Sequence, residues 1–138
     1  ADAYASKQIV GYAEEAHKVL GGLTNNDEST MLYSTYGLVL GLSDVLAVHY
    51  GLLIESENSA FQQVMACMGL ESMWTWHFRT AAGFWDTLDE WTSAQSRARA
   101  GLQLYAETVR HLHAIIEPRH MEVIDFALEA ITIYIRPS

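Results

Sequence analysis

Cysteine is almost missing from this chain. Cys67 is the only one in 138 residues, so no disulfide closes within one chain and a disulfide-stapled secreted framework is excluded. Basic residues are also scarce: 8 Lys and Arg stand against 17 Asp and Glu, for a formal net charge of -9. Lys7 and Lys18 are the only basic residues before Arg79, and no basic patch or stripe is visible. That balance disfavours a nucleic-acid phosphate backbone or an anionic membrane surface as partner. The opening Ala-Asp-Ala-Tyr-Ala-Ser-Lys has neither the charged start nor the apolar run of a signal peptide. Together with the lone cysteine this makes a cytoplasmic location the expectation. Charged residues of all kinds make up only 18% of the chain and hydrophobic ones 50%, which leaves little polar cover. A homo-oligomer is expected, with a dimer favoured. Repeats, low-complexity segments and linkers are absent, so residues 1–138 are expected to form a single helical-bundle domain.

The stretch from Tyr36 to Ile54 carries only Asp44 and His49 as ionisable groups. At helical spacing Leu32, Tyr36, Val39, Ser43, Leu46, Tyr50 and Leu53 form one stripe, with Leu38, Leu42, Val45, His49 and Leu52 beside it. A third stripe, Gly37, Gly41, Asp44, Val48 and Gly51, is mostly small and would let another helix approach closely. A helix apolar nearly all round is a core helix or a membrane span. The flanks here are acidic, no Lys or Arg marks a cytoplasmic end, and Asp44 sits near the middle, so a soluble core helix is favoured over a span.

The remaining segments are amphipathic and suited to covering it. Ala3–Leu20 reads as a first helix stopped by Gly21-Gly22, and Asp27 or Ser29 caps a long second helix reaching about Glu57. Asn58 is placed to cap a third, with Cys67, Leu70, Trp74, Phe78, Ala81, Trp85 and Leu88 at spacings of three and four and Gly83 ending or kinking it. Asp86 and Asp89 suggest a short helix through Trp91. Thr92 or Ser93 caps the next, along the line Ala98, Leu102, Tyr105, Val109, Leu112 and Ile116. Pro118 suits the first turn of the last helix, Met121 to Ile135, which is apolar on two sides. Its tail, Ile-Thr-Ile-Tyr-Ile, has strand propensity but no strand to pair with, so helix is expected. The fold class is therefore all-α, a bundle of four long helices plus one short one, with the second helix central.

Several residues bear on chemistry. Glu14 and His17 have the Glu-x-x-His spacing of carboxylate-bridged di-metal bundles, which makes them metal candidates, although Glu14 also fits a wet face. Glu117 and His120 share the spacing across Pro118. His49, Cys67, His77, His111 and His113 are the residue types of a zinc site, without a recognised ligand spacing. Asp44, a carboxylate on the small stripe, needs a partner if buried, and Arg79 is the nearest basic residue on the next helix. The Met- and Trp-rich run from Met65 to Trp91, with Glu71, His77 and Arg79 inside it, reads as core, as subunit interface or as the lining of an apolar pocket. Asp44, His49, Glu71, Trp74, His77 and Arg79 are thus the ligand-binding candidates.

Within that run, Trp74-Thr-Trp-His77-Phe-Arg-Thr-Ala81 resembles the Trp-x-x-His-x-x-x-Ala segment of the carboxymuconolactone decarboxylase and alkylhydroperoxidase-D-like proteins, which are also all-helical. The Cys-x-x-Cys pair of the peroxidase members would fall at Leu70 and Met73 here. The resemblance therefore brings no thiol chemistry with it, and membership of the family is not inferred.

The function expected from these readings is non-enzymatic. The chain would act through self-association or contact with another protein, using an apolar face of the last helix or the Trp-rich region, without a cofactor. The alternative is a bundle, possibly an enzyme, that binds a small molecule or a transition metal ion through its interior His, Asp, Glu and Arg residues.

Overall fold

Capping side chains and apolar spacing set where the helices begin and end. In this computed structural model residues 2–53 and 55–136 are described. Ala1, Ile54, Pro137 and Ser138, which fall within the expected 1–138 domain and, for Ile54, at the end of the expected apolar segment, lie outside the described residues. The elements are α1 (Asp2–Thr24), α2 (Glu28–His49), α3 (Glu57–Met68), α4 (Met73–Ala82), α5 (Ala94–Leu112), a 3-10 turn (His113–Ile115) and α6 (Pro118–Ile135). All are helical, and no strand occurs among the described residues. Asp27, Ser56, Ser72 and Ser93 each accept a hydrogen bond from the backbone N–H three residues on, satisfying a donor the helix itself leaves open.

Several boundaries differ from the sequence expectation, each for a local reason. α1 continues through Gly21-Gly22 to Thr24, because buried Gly22 sits against α2, where an added Cβ would lie 3.0 Å from the Met31 backbone nitrogen. α2 stops at His49, and Gly51 turns the chain at φ 65° well before Glu57. Ser56, not Asn58, caps α3. The expected third helix is two: Gly69, at φ 100°, breaks it and Ser72 restarts it as α4. Asp86–Trp91 is not a helix, since the Asp86 carboxylate accepts from Thr92 N and pairs with Arg97 instead of capping its own turn. The described residues thus hold six α-helices, two of them short.

Cross-helix contacts give the directions. Tyr4 donates to Asp44 at 2.5 Å and Gly22 meets Met31, so α1 and α2 are antiparallel. Asn26 with Gln95, Thr35 against Gly101 and Tyr50 with His111 make α2 and α5 parallel. Trp74 with Thr108 and Gly83 against Arg97 make α4 antiparallel to α5. α6 lies on α1 and α5, through Ser6 with His120, His17 against Phe126 and Arg99 over Tyr134. α2 touches α1, α3, α4 and α5, while α5 touches α1, α2, α4 and α6, so the two share the centre.

The apolar second helix is placed accordingly. Leu38, Leu42, Val45 and Leu46 are fully buried, as is Met31, although by length and composition alone the helix could cross a membrane. Its small stripe does admit a close neighbour. The Tyr12 ring lies on Gly41, where an added Cβ would be 2.1 Å from it. Leu32, Tyr33 and Tyr36, however, face outward. Between α1 and α5 the Tyr105 hydroxyl, fully buried, donates to Ile9 O at 3.0 Å, so its one polar atom is satisfied inside the core.

Candidate functional site

α4 and the loop after it carry an outward-facing aromatic surface. α4 is short and ends at Gly83, which at φ 78° adopts the left-handed conformation that glycine tolerates best. Gly83 N donates to Thr80 O and Phe84 N to Arg79 O, the paired closure that ends many helices. This closure turns the chain back along α4, and Trp85 Nε1 donates to Thr80 Oγ1 at 3.1 Å. Trp85 consequently lies 5.2 Å from Trp76, centroid to centroid, and the Arg79 guanidinium stands 5.3 Å over the Trp85 ring. With Leu70, Glu71, Ser72 and Thr75 these three side chains line an open cleft of about 300 Å³. The buried Arg79 Nε has no hydrogen-bond partner, and no carboxylate of the described residues forms an ion pair with this guanidinium.

Beyond the cleft, the loop is fixed at its base and exposed at its tip. Asp86 accepts from Thr92 N at 2.6 Å and forms an ion pair with Arg97. Thr87 N donates to Glu90 O at 2.8 Å and Glu90 N to Thr87 Oγ1 at 3.0 Å, so the chain reverses over Leu88 and Asp89. Leu88 is 97% exposed and Trp91 74%. Leu70, Met73, Trp76, Phe84 and Trp85 are exposed as well. The apolar members of the Met65–Trp91 run therefore divide between two environments. Met65, Trp74, Phe78 and Ala81 are core, whereas these seven are surface.

The sequence candidates are only partly brought together. Glu71 and Arg79 line the same cleft. Trp74 is buried instead, its Nε1 donating to Thr108 Oγ1 at 2.8 Å. Asp44 is exposed and accepts from Tyr4, so the expected burial of this carboxylate with Arg79 is corrected: α1, not α4, covers that stretch of α2. The same bond raises the Tyr4 hydroxyl to about 12. His49 is half-buried with its Nδ1 unpartnered, edge-on to Tyr50 at 5.0 Å. Glu14 is exposed and close to Lys18, while the His17 ring packs on Phe126. No group of three or more His, Cys, Asp or Glu side chains converges to hold a metal among the described residues.

A second cleft, which sequence reasoning did not assemble, is lined by Met68, Ser72, Met73, Trp74, Glu107, Arg110 and His111. His111 Nε2 shares a hydrogen bond of 2.5 Å with the Tyr50 hydroxyl. Those two residues are 61 positions apart on α5 and just past α2, a pairing with no local signal in the chain.

Burial holds His77 below its ordinary value of 6.5, partly opposed by the Glu107 carboxylate, and burial followed by the nearby His49 does the same to His111. The unfolded chain takes up these protons near pH 6.5, while the native state resists them. Their contribution to stability is thus complete above that pH and lost as pH falls through the lowered native values. The urea midpoint is expected to fall between about pH 7.5 and pH 5.5. In His77→Asn/His111→Asn the fall should be smaller. An unchanged fall in that variant would assign the effect to other groups.

No family model matches the chain, and neither a curated protein nor a solved structure is significantly similar to it.

Proposed function

We propose that this is a non-enzymatic, cytoplasmic helical-bundle protein that acts through self-association, with the aromatic surface of α4 and the following loop as its contact. One observation carries the proposal. Leu70, Met73, Trp76, Phe84, Trp85, Leu88 and Trp91 are exposed within residues 70–91, on one short helix, the turn before it and the loop after it. Scattered single apolar residues on a surface mean little, but large exposed patches with polar rims mark interaction sites. Tryptophan and arginine, both present here, are the residues most often found at the energetic centre of protein interfaces. The loop base is rigidified by Asp86, so little ordering cost would remain for a partner to meet.

Native mass spectrometry of the purified protein tests this reading. A dimer with no additional mass is the expected result. A monomer, or a chain retaining an organic molecule or a metal ion, would contradict it and return attention to the half-buried histidines and to Glu71 and Arg79.

A further inference from the structure

The self-association reading leaves open what fills the Arg79 cleft. We propose that its occupant is the Leu88–Asp89 tip of a second copy of this chain, with the Asp89 carboxylate on the Arg79 guanidinium and Leu88 against Trp76 and Trp85. The inference rests on the self-association reading and specifies its contact.

Charge is the first argument. Among the described residues Lys18, Arg97, Arg110 and Arg119 have carboxylate partners, whereas Arg79, like Lys7, Arg99 and Arg136, has none, and of these four Arg79 alone also holds a buried side-chain nitrogen without an acceptor. A guanidinium that stands over an indole face can still meet a carboxylate with two parallel hydrogen bonds. The tip supplies that carboxylate beside Leu88, the most exposed large apolar side chain among the described residues. Its hairpin-like reversal and Asp86-anchored base present Leu88 and Asp89 in a defined geometry.

Symmetry is the second argument. Trp85, a wall of the cleft, is only three residues before Leu88, so cleft and tip are close neighbours along the chain. A two-fold dimer needs this arrangement, because each copy must offer both halves of the contact on the same patch. The outward face of α6 is less suited to the role. Val123 and Phe126 are exposed there, but three carboxylates, Glu122, Asp125 and Glu129, line the same depression with no basic residue among them, whereas the Arg79 cleft sets a single carboxylate, Glu71, beside its guanidinium.

Charge reversal tests the contact. In Arg79→Asp the introduced carboxylate faces Asp89 of the other copy, and in Asp89→Arg the introduced guanidinium faces Arg79. Each homodimer then holds two like-charge contacts, and its dissociation constant is expected to rise at least about tenfold. An equimolar mixture of the two variants restores opposite charges at both contacts. It should dimerise within about threefold of the wild type. Asp89 is fully outside the core, so its variant keeps the fold. Should Arg79→Asp lose its helical circular dichroism, Arg79→Gln replaces it: this change should weaken the dimer, and adding Asp89→Arg should cost nothing further. Single variants that dimerise as the wild type does, or a mixture that stays monomeric, would overturn this contact while leaving self-association standing. A wild type that is monomeric at about 100 µM would instead remove the self-association reading itself.

Discussion

Phe78→Ala is expected to lower the unfolding free energy by about 3–5 kcal/mol. Phe78 is fully buried on α4, stacked on Trp74 with ring centroids 4.9 Å apart and 12° between planes. Phe61 meets it edge-on at 5.2 Å and Phe84 at 5.8 Å. Truncation removes the transfer energy of a whole ring and leaves a void among three other rings, which are too large to turn into it freely. Because domains of this kind are stable by only about 5–15 kcal/mol in total, the loss would be a large part of the whole. A urea titration at fixed protein concentration reads it as a lower midpoint. Phe78→Leu keeps most of the volume and should cost less, about 1–1.5 kcal/mol. If Phe78→Ala cost under about 1 kcal/mol, the aromatic cluster would not be the packing centre of α3 and α4.

The second large effect concerns the loop. Asp86→Ala is expected to cost about 2–3 kcal/mol, somewhat less than the loss of one partner from a fully buried ion pair, because the side chains keep some exposure, 12% for Asp86 and 21% for Arg97. Two groups lose their partner at once. The Arg97 guanidinium, set against Gly83, is left without its carboxylate, and Thr92 N is left without the acceptor that closes the loop. Asp86→Asn keeps an acceptor for Thr92 N and should lose roughly half as much. Hydrogen exchange separates the fold from the loop: the amides of Thr87–Thr92 should exchange faster in Asp86→Ala while those of α1 and α5 keep their order of protection. Equal exchange in the loop of the wild type and the variant would show that Asp86 does not hold it.

The class of fold was legible because it rests on short-range rules. Asp27 and Ser93 cap where the sequence places caps, Gly83 ends α4, and the line Ala98, Leu102, Tyr105, Val109 and Leu112 is buried. Departures came where a tertiary contact decided a local choice. Gly21-Gly22 did not stop α1, because its packing on α2 extends the helix past them. Asp86 did not start a helix, because Arg97, eleven positions on, offered its carboxylate a better partner. Periodicity was also blind to which side of α4 would be covered. Trp74 and Trp76 differ by two residues and point to opposite environments, one bonded to Thr108 in the core and the other at the surface beside Trp85. The candidate site was legible in its members Glu71 and Arg79 but not in its walls, since Trp85 reaches them only through the turn at Gly83.

Sedimentation velocity on the wild type and on Leu88→Ser/Trp91→Ser tests the central claim most directly. Both side chains are exposed, so the variant retains its helices while losing apolar contact area. The wild type is predicted to sediment as a dimer at micromolar concentration and the variant as a monomer with unchanged far-ultraviolet circular dichroism. Identical sedimentation of the two proteins would contradict the claim that this surface is where the chain meets its partner.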